Sequence, residues 1–127
     1  MFDESGLDAY RHTQIEARAA AAEPHKLVLM LIEGLLDELA RVEGHIQAKQ
    51  FDRKATSITK CLDILSGLDT ALDRENGGAL AEDLHRLYDF CGRQLFDVSV
   101  SNEVAGLSIV YKVLGDLKEG WESMTAA

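Results

Sequence analysis

The apolar residues Val28, Ile32, Leu35, Leu39, Val42 and Ile46 recur at intervals of four, three, four, three and four. That spacing keeps one face of an α-helix toward a partner for about five turns. On a strand the same positions would be split between opposite faces, so a helix over 24–46 is the element to which the other segments must fit. Pro24, the only proline, stands at its start, where a fixed helical φ helps and a missing N–H costs nothing. Leu27, Leu29, Leu31 and Leu36 lie off the seam. The N-terminal half of the helix therefore carries more apolar surface than one neighbouring helix covers.

Three further segments repeat the pattern. After the turn Lys49-Gln50-Phe51-Asp52, with Asp52 as the expected N-cap, a second helix is predicted over 53–73. Its seam is Ile58, Leu62, Leu65, Leu68 or Asp69, and Leu72, and an adjacent apolar line runs through Cys61, Ile64, Leu68 and Ala71. Asn76-Gly77-Gly78 is the strongest breaker in the chain and predicts a helix–helix connection. A third helix is expected over 79–100, with Leu80, Leu84, Leu87, Cys91, Leu95 and Val98 on its seam and Tyr88, Phe90 and Phe96 to the sides. Ser101-Asn102 closes it, and a fourth helix over 103–124 carries Val104, Leu107, Val110 or Tyr111, Leu114, Leu117 and Trp121.

Four amphipathic helices joined by short connections predict an all-α fold, an antiparallel up-down four-helix bundle. Residues 1–22 form a separate register. Leu7, Tyr10 and Ile15 are too few to wall a core, yet enough for a short mobile helical segment to dock reversibly in a groove. The organisation expected is one domain over 1–127, with this N-terminal cap at 1–22 and the bundle at 24–124.

Charge and motif narrow the function. A net charge of −9 disfavours a general nucleic-acid or anionic-membrane binder, because both partners are polyanions. The acidic start Met1-Phe2-Asp3-Glu4 lacks the basic and apolar parts of a signal peptide, and no apolar run is long enough to span a bilayer, so a cytoplasmic protein is expected. Cys61 and Cys91 fall on apolar helical faces without a C-x-x-C and read as reduced core thiols.

A di-metal carboxylate bundle needs two Glu-x-x-His pairs, and only Glu82-x-x-His85 fits, so no metal or other cofactor is expected. A histidine phosphotransfer bundle is the alternative reading, on the loose match His45-x-x-x-Lys49. No nucleophile motif or phosphate loop is present, and nothing argues for an enzyme. The positive signal is surplus apolar surface on the helices, which serves oligomerisation or a groove for another chain's helix, with a merely overpacked core as the plainer reading.

A set of short pieces in order resembles the flagellin export chaperone family, FliS. They are Gly6-Leu7-x-Ala9-Tyr10; Pro24-His25-Lys26-Leu27-Val28 with Met30-Leu31-Ile32-Glu33-Gly34; Lys60 and Ile64-Leu65-x-Gly67-Leu68; Gly77-Gly78; Leu87-Tyr88-Asp89-Phe90 with Arg93-Gln94-Leu95; Asn102; and Trp121. The chain departs from the family pattern at Glu33, where Asp is usual, at Glu23, where a Ser cap is usual, and at Lys49-Gln50, where the usual glycine is missing.

The resemblance implies a cytoplasmic chaperone that binds the disordered C-terminal segment of flagellin, prevents its premature polymerisation and delivers it to the flagellar type III export apparatus. A monomer or weak homodimer is expected. Since seam residues already have partners within a bundle, the off-seam residues Ile64, Leu68 and Tyr88 are the expected lining of the flagellin groove. Leu7 and Tyr10 are expected to cover that groove in the free protein and, by the resemblance, to dock the loaded complex on an export-gate component.

Overall fold

The computed structural model describes residues 24–125. Four helices account for most of them: α1 at Pro24–Gln47, α2 at Phe51–Thr70, α3 at Arg74–Ser101 and α4 at Leu107–Thr125, with a 3-10 turn at Val104–Gly106 leading into α4. Among the described residues there is no strand, and no helix is long and apolar enough to cross a membrane.

Each helix packs on the next, and α4 returns to α1, closing a four-membered ring. Contacts between helix ends fix the alternating direction. Ile64 of α2 faces Gly34 of α1, and the two are equidistant in sequence from Lys49 in the intervening turn. Lys54, early in α2, reaches Ser99 and Asn102 at the end of α3. Trp121, late in α4, donates from Nε1 to the His25 carbonyl at the start of α1 over 3.0 Å, and its ring stacks on the imidazole at 5.1 Å. The fold is the all-α, antiparallel four-helix bundle that the periodicity predicts.

The core follows the seams with exceptions: Leu80 and Leu62, expected on them, are exposed, and Tyr88, expected to the side, is buried. Ile32, Leu35, Leu39 and Val42 of α1, Cys61 of α2, Cys91 and Leu95 of α3 and Val110 and Leu114 of α4 are fully buried. Val28 and Trp121 are partly buried and pack against this core. Both cysteines are free thiols. Burial pushes them up, Cys61 to about 12 with a further contribution from the Glu38 carboxylate and Cys91 to about 11.

Two local expectations are corrected and a third is met in part. The helix α2 begins at Phe51, with Gln50 in the capping position and no side-chain cap bond, so Asp52 is not the N-cap. It sits in the first turn instead, where its charge still complements the helix dipole. The α2–α3 connection is Ala71–Asp73, ahead of the Asn76-Gly77-Gly78 breaker. Asp73 caps the new helix by accepting from the Asn76 backbone N–H at 3.2 Å and the Asn76 amide at 3.0 Å, which holds its own carboxyl below the usual range. Gly78, at φ 54° and ψ −131°, then redirects the chain within α3. This non-helical backbone separates the short turn at 74–77 from the long helix that runs on from residue 79, so the breaker interrupts the chain where the sequence places it. Finally, α4 starts at Leu107, the preceding residues being taken up by the 3-10 turn.

Candidate functional site

Between α2 and α3, on the outside of the bundle, runs a groove of about 580 Å³. On α2 its wall is Leu62, Leu65, Ser66 and Asp69; on α3 it is built from His85, Tyr88, Asp89, Gly92, Arg93, Phe96 and Asp97. These positions recur every three or four residues, so the wall is one continuous stripe of each helix. From His85 to Asp97 the stripe extends about 18 Å along α3 at the helical rise per residue.

The floor is apolar and the rim polar. Leu65 and Tyr88 are buried beneath, while Leu62 and Phe96 stand 38% and 64% exposed above them. So much bare apolar surface on facing helices costs solvation unless something covers it. Burial pushes the Tyr88 phenol up to about 12, helped by Asp69, so it remains a neutral hydroxyl at any working pH. On the rim, Arg93 pairs with Asp89 at 2.6 Å. At one end His85 Nδ1 stands 2.7 Å from Asp69 Oδ1 and 2.8 Å from Arg74 Nη2. With its proton it donates to the carboxylate; without it, it accepts from the guanidinium. The lining carries three aspartates against one arginine, which favours an occupant with basic residues along its edges.

The α3 end of the groove is held in place by a buried lysine. Lys54 Nζ donates to the Ser99 carbonyl at 2.8 Å and to Asn102 Oδ1 at 2.7 Å, and lies 5.5 Å from the Phe51 ring centroid. Asn102 adopts the left-handed conformation, φ 57°, and its N–H bonds the Val98 carbonyl. The lysine thereby satisfies a terminal carbonyl of α3 and places positive charge at the negative end of its dipole.

Of the residues expected from the sequence to line a groove, Tyr88 alone lines this one. Leu68 is 1% exposed and belongs to the core, and Ile64, half-buried, is on the opposite flank of α2 against α1. The reason is geometric. A bundle helix meets two neighbours as well as the central core, so its buried face is wider than one seam, and residues just off the seam are still covered. The same width leaves Leu62, read as a seam residue, at the groove. Leu62, Gly92 and Phe96 line the groove without having been expected there; the place of Phe96 to the side of the α3 seam was a usable signal. Leu7 and Tyr10 lie outside the described residues.

Among the described residues no three His, Cys, Asp or Glu side chains come together to hold a metal ion. His85 is engaged by Asp69 and Arg74, and His45 Nδ1 is 3.2 Å from Gln50 Oε1 at the far end of α1.

A family model described as flagellar protein FliS matches residues 6–127. A Pseudomonas aeruginosa protein named flagellar secretion chaperone FliSB is 34% identical over 125 residues, covering 98% of this chain and 99% of its own length. The flagellar secretion chaperones FliS of Salmonella typhimurium and Vibrio cholerae are 29% and 30% identical, over 98% and 93% of this chain and 93% and 87% of theirs. The name these relatives share is that of a chaperone, a role that requires binding surface and no catalytic group. Matched over nearly its whole length in this way, the chain belongs to the FliS family of flagellar secretion chaperones.

Proposed function

We propose that this chain is a cytoplasmic flagellar export chaperone, one binding domain that holds the disordered C-terminal segment of flagellin, prevents its premature polymerisation and delivers it to the export apparatus. The observation that carries the reading is the α2–α3 groove, about three turns long, with Leu62 and Phe96 exposed above an apolar floor and a polar rim, on a protein whose relatives are named as secretion chaperones. An amphipathic helix laid into such a groove buries its apolar face against Leu62, Tyr88 and Phe96 and leaves its polar face in water. The client orders as it binds, and the apolar area covered offsets that entropy. A client long enough to continue over α2 reaches Ile64 on the other flank, with Leu68 supporting the wall from the core.

In the free protein Leu7 and Tyr10 would shield part of the groove. A flagellin segment offering more apolar area displaces them, and the freed residues dock the loaded complex on an export-gate component. The working form is a monomer or weak homodimer.

The test is the affinity of the purified chain for the flagellin C-terminal segment. Phe96→Asp is expected to weaken it by about 2 kcal/mol or more, through an unpaired charge buried in the complex, while the melting temperature barely moves. Binding that survives this change removes the groove from the reading. Leu7→Ala with Tyr10→Ala is expected to keep flagellin affinity and to reduce gate association. Loss of client affinity in that double variant would make the segment part of the binding wall.

A further inference from the structure

We infer that Gly92 is the specificity-determining position of the α2–α3 groove, its missing side chain forming the hole that receives one bulky apolar side chain of the client helix. The inference rests on the groove being the flagellin-binding surface. Glycine inside a helix is unfavourable relative to alanine, so its presence calls for a compensating gain.

Other glycines of the chain have a reason in the backbone. Gly78 adopts a positive φ. A β-carbon on Gly77 would stand 2.8 Å from Ala81 Cβ, and one on Gly106 would stand 2.7 Å from Val98 Cγ2. Gly92 has neither reason. Its backbone is helical, and a β-carbon there would meet Leu62 Cδ2 at 3.8 Å, an ordinary contact and the only one within 4 Å. The free protein would accept alanine.

What glycine keeps open is the space above it. Phe96 stands one helical turn away on α3, Leu62 faces it from α2, Tyr88 lies one turn back at the floor, and the Asp89–Arg93 pair closes the outer side. A gap ringed by side chains of two helices is the receiving half of knobs-into-holes packing. Three of its walls, Leu62, Tyr88 and Phe96, are apolar, so leucine, methionine or phenylalanine fits. Gly34, Gly44, Gly67, Gly115 and Gly120 also sit in helices, but none of them lines the groove.

A bump-and-hole measurement tests this. Affinity for a synthetic peptide of the flagellin C-terminal segment is measured with the wild-type chain, Gly92→Ala and Gly92→Leu, and the peptide's large apolar residues are truncated to alanine one at a time. Gly92→Ala is expected to raise the melting temperature and weaken binding a few-fold. Gly92→Leu is expected to weaken it by roughly tenfold or more, since a filled hole must be relieved by displacement of the client. One truncated peptide, and one only, should bind the leucine variant better than the full peptide does.

If circular dichroism shows the leucine variant unfolded, Gly92→Ala decides: its loss must vanish against that same truncated peptide. Absence of binding by the wild-type chain overturns the flagellin reading and the inference with it. Wild-type binding that is retained within about twofold in Gly92→Leu, or a loss that no truncation relieves, overturns the inference alone.

Discussion

Lys49 occupies a position that its side chain does not favour. At φ 58° it ends α1 in the left-handed conformation, its own N–H bonding the Ile46 carbonyl and the Gln50 N–H reaching back to the His45 carbonyl at 2.8 Å. This is a Schellman cap with lysine where glycine is preferred. Lys49→Gly is therefore expected to raise stability by about 0.5 to 1 kcal/mol in urea denaturation, the relief of the left-handed strain exceeding the added chain entropy. Asn102 sits in the same conformation but also accepts from Lys54 Nζ at its Oδ1. Asn102→Gly and Lys54→Met should each destabilise, by about 1 and about 2 kcal/mol. Together they should cost about 1 kcal/mol less than their sum, because the lysine's departure already removes the bond that the asparagine loses. Additive losses would mean the two do not act as a clasp. The missing glycine at Lys49 was legible in the sequence. The clasp was not, because nothing in periodicity pairs residues 48 positions apart.

Helix α3 shows how much of an element a pattern can reveal. Its buried face, Leu84, Cys91, Leu95 and Val98, follows from spacing alone, as does the seam of α1. Its beginning follows in part: Asn76-Gly77-Gly78 marks the interruption at Gly78, whereas the turn capped by Asp73 ahead of it has no signal in the periodicity. Gly78→Ala is expected to cost about 1 to 3 kcal/mol, because alanine must either adopt a disfavoured φ or straighten the helix against the end of α2. A melting temperature equal to that of the wild type would show that the kink is incidental. The groove lining was legible only in part for the opposite reason. Pattern identifies apolar residues, but whether Tyr88 or Phe96 is covered depends on how far apart α2 and α3 stand, and that distance is set by residues elsewhere, Lys54 among them.

For the molecule as a whole, the two core thiols set an alkaline limit. In the unfolded chain a thiol releases its proton near pH 8.5, whereas in the folded chain Cys91 holds it to about 11 and Cys61 to about 12. Folded chains thus bind more protons than unfolded ones in that window, and stability is full below about pH 8.5 and falls as pH rises toward the folded values. Across both thiols roughly 4 kcal/mol should be lost between pH 8 and pH 10, read as a falling urea midpoint. A flat midpoint would place a thiol in water. The ring order of the helices has a further consequence, through the chain's only tryptophan. Trp121 lies on the α4–α1 edge, across the bundle from the α2–α3 groove, stacked on His25 one residue beyond the point where the N-terminal segment joins. Its emission on excitation at the red edge thus reports the seal between the first and last helices and is silent to a peptide confined to the groove. A change in indole fluorescence on loading would report a rearrangement of the α4–α1 edge, so one native chromophore separates filling of the groove from a change on the opposite side of the bundle.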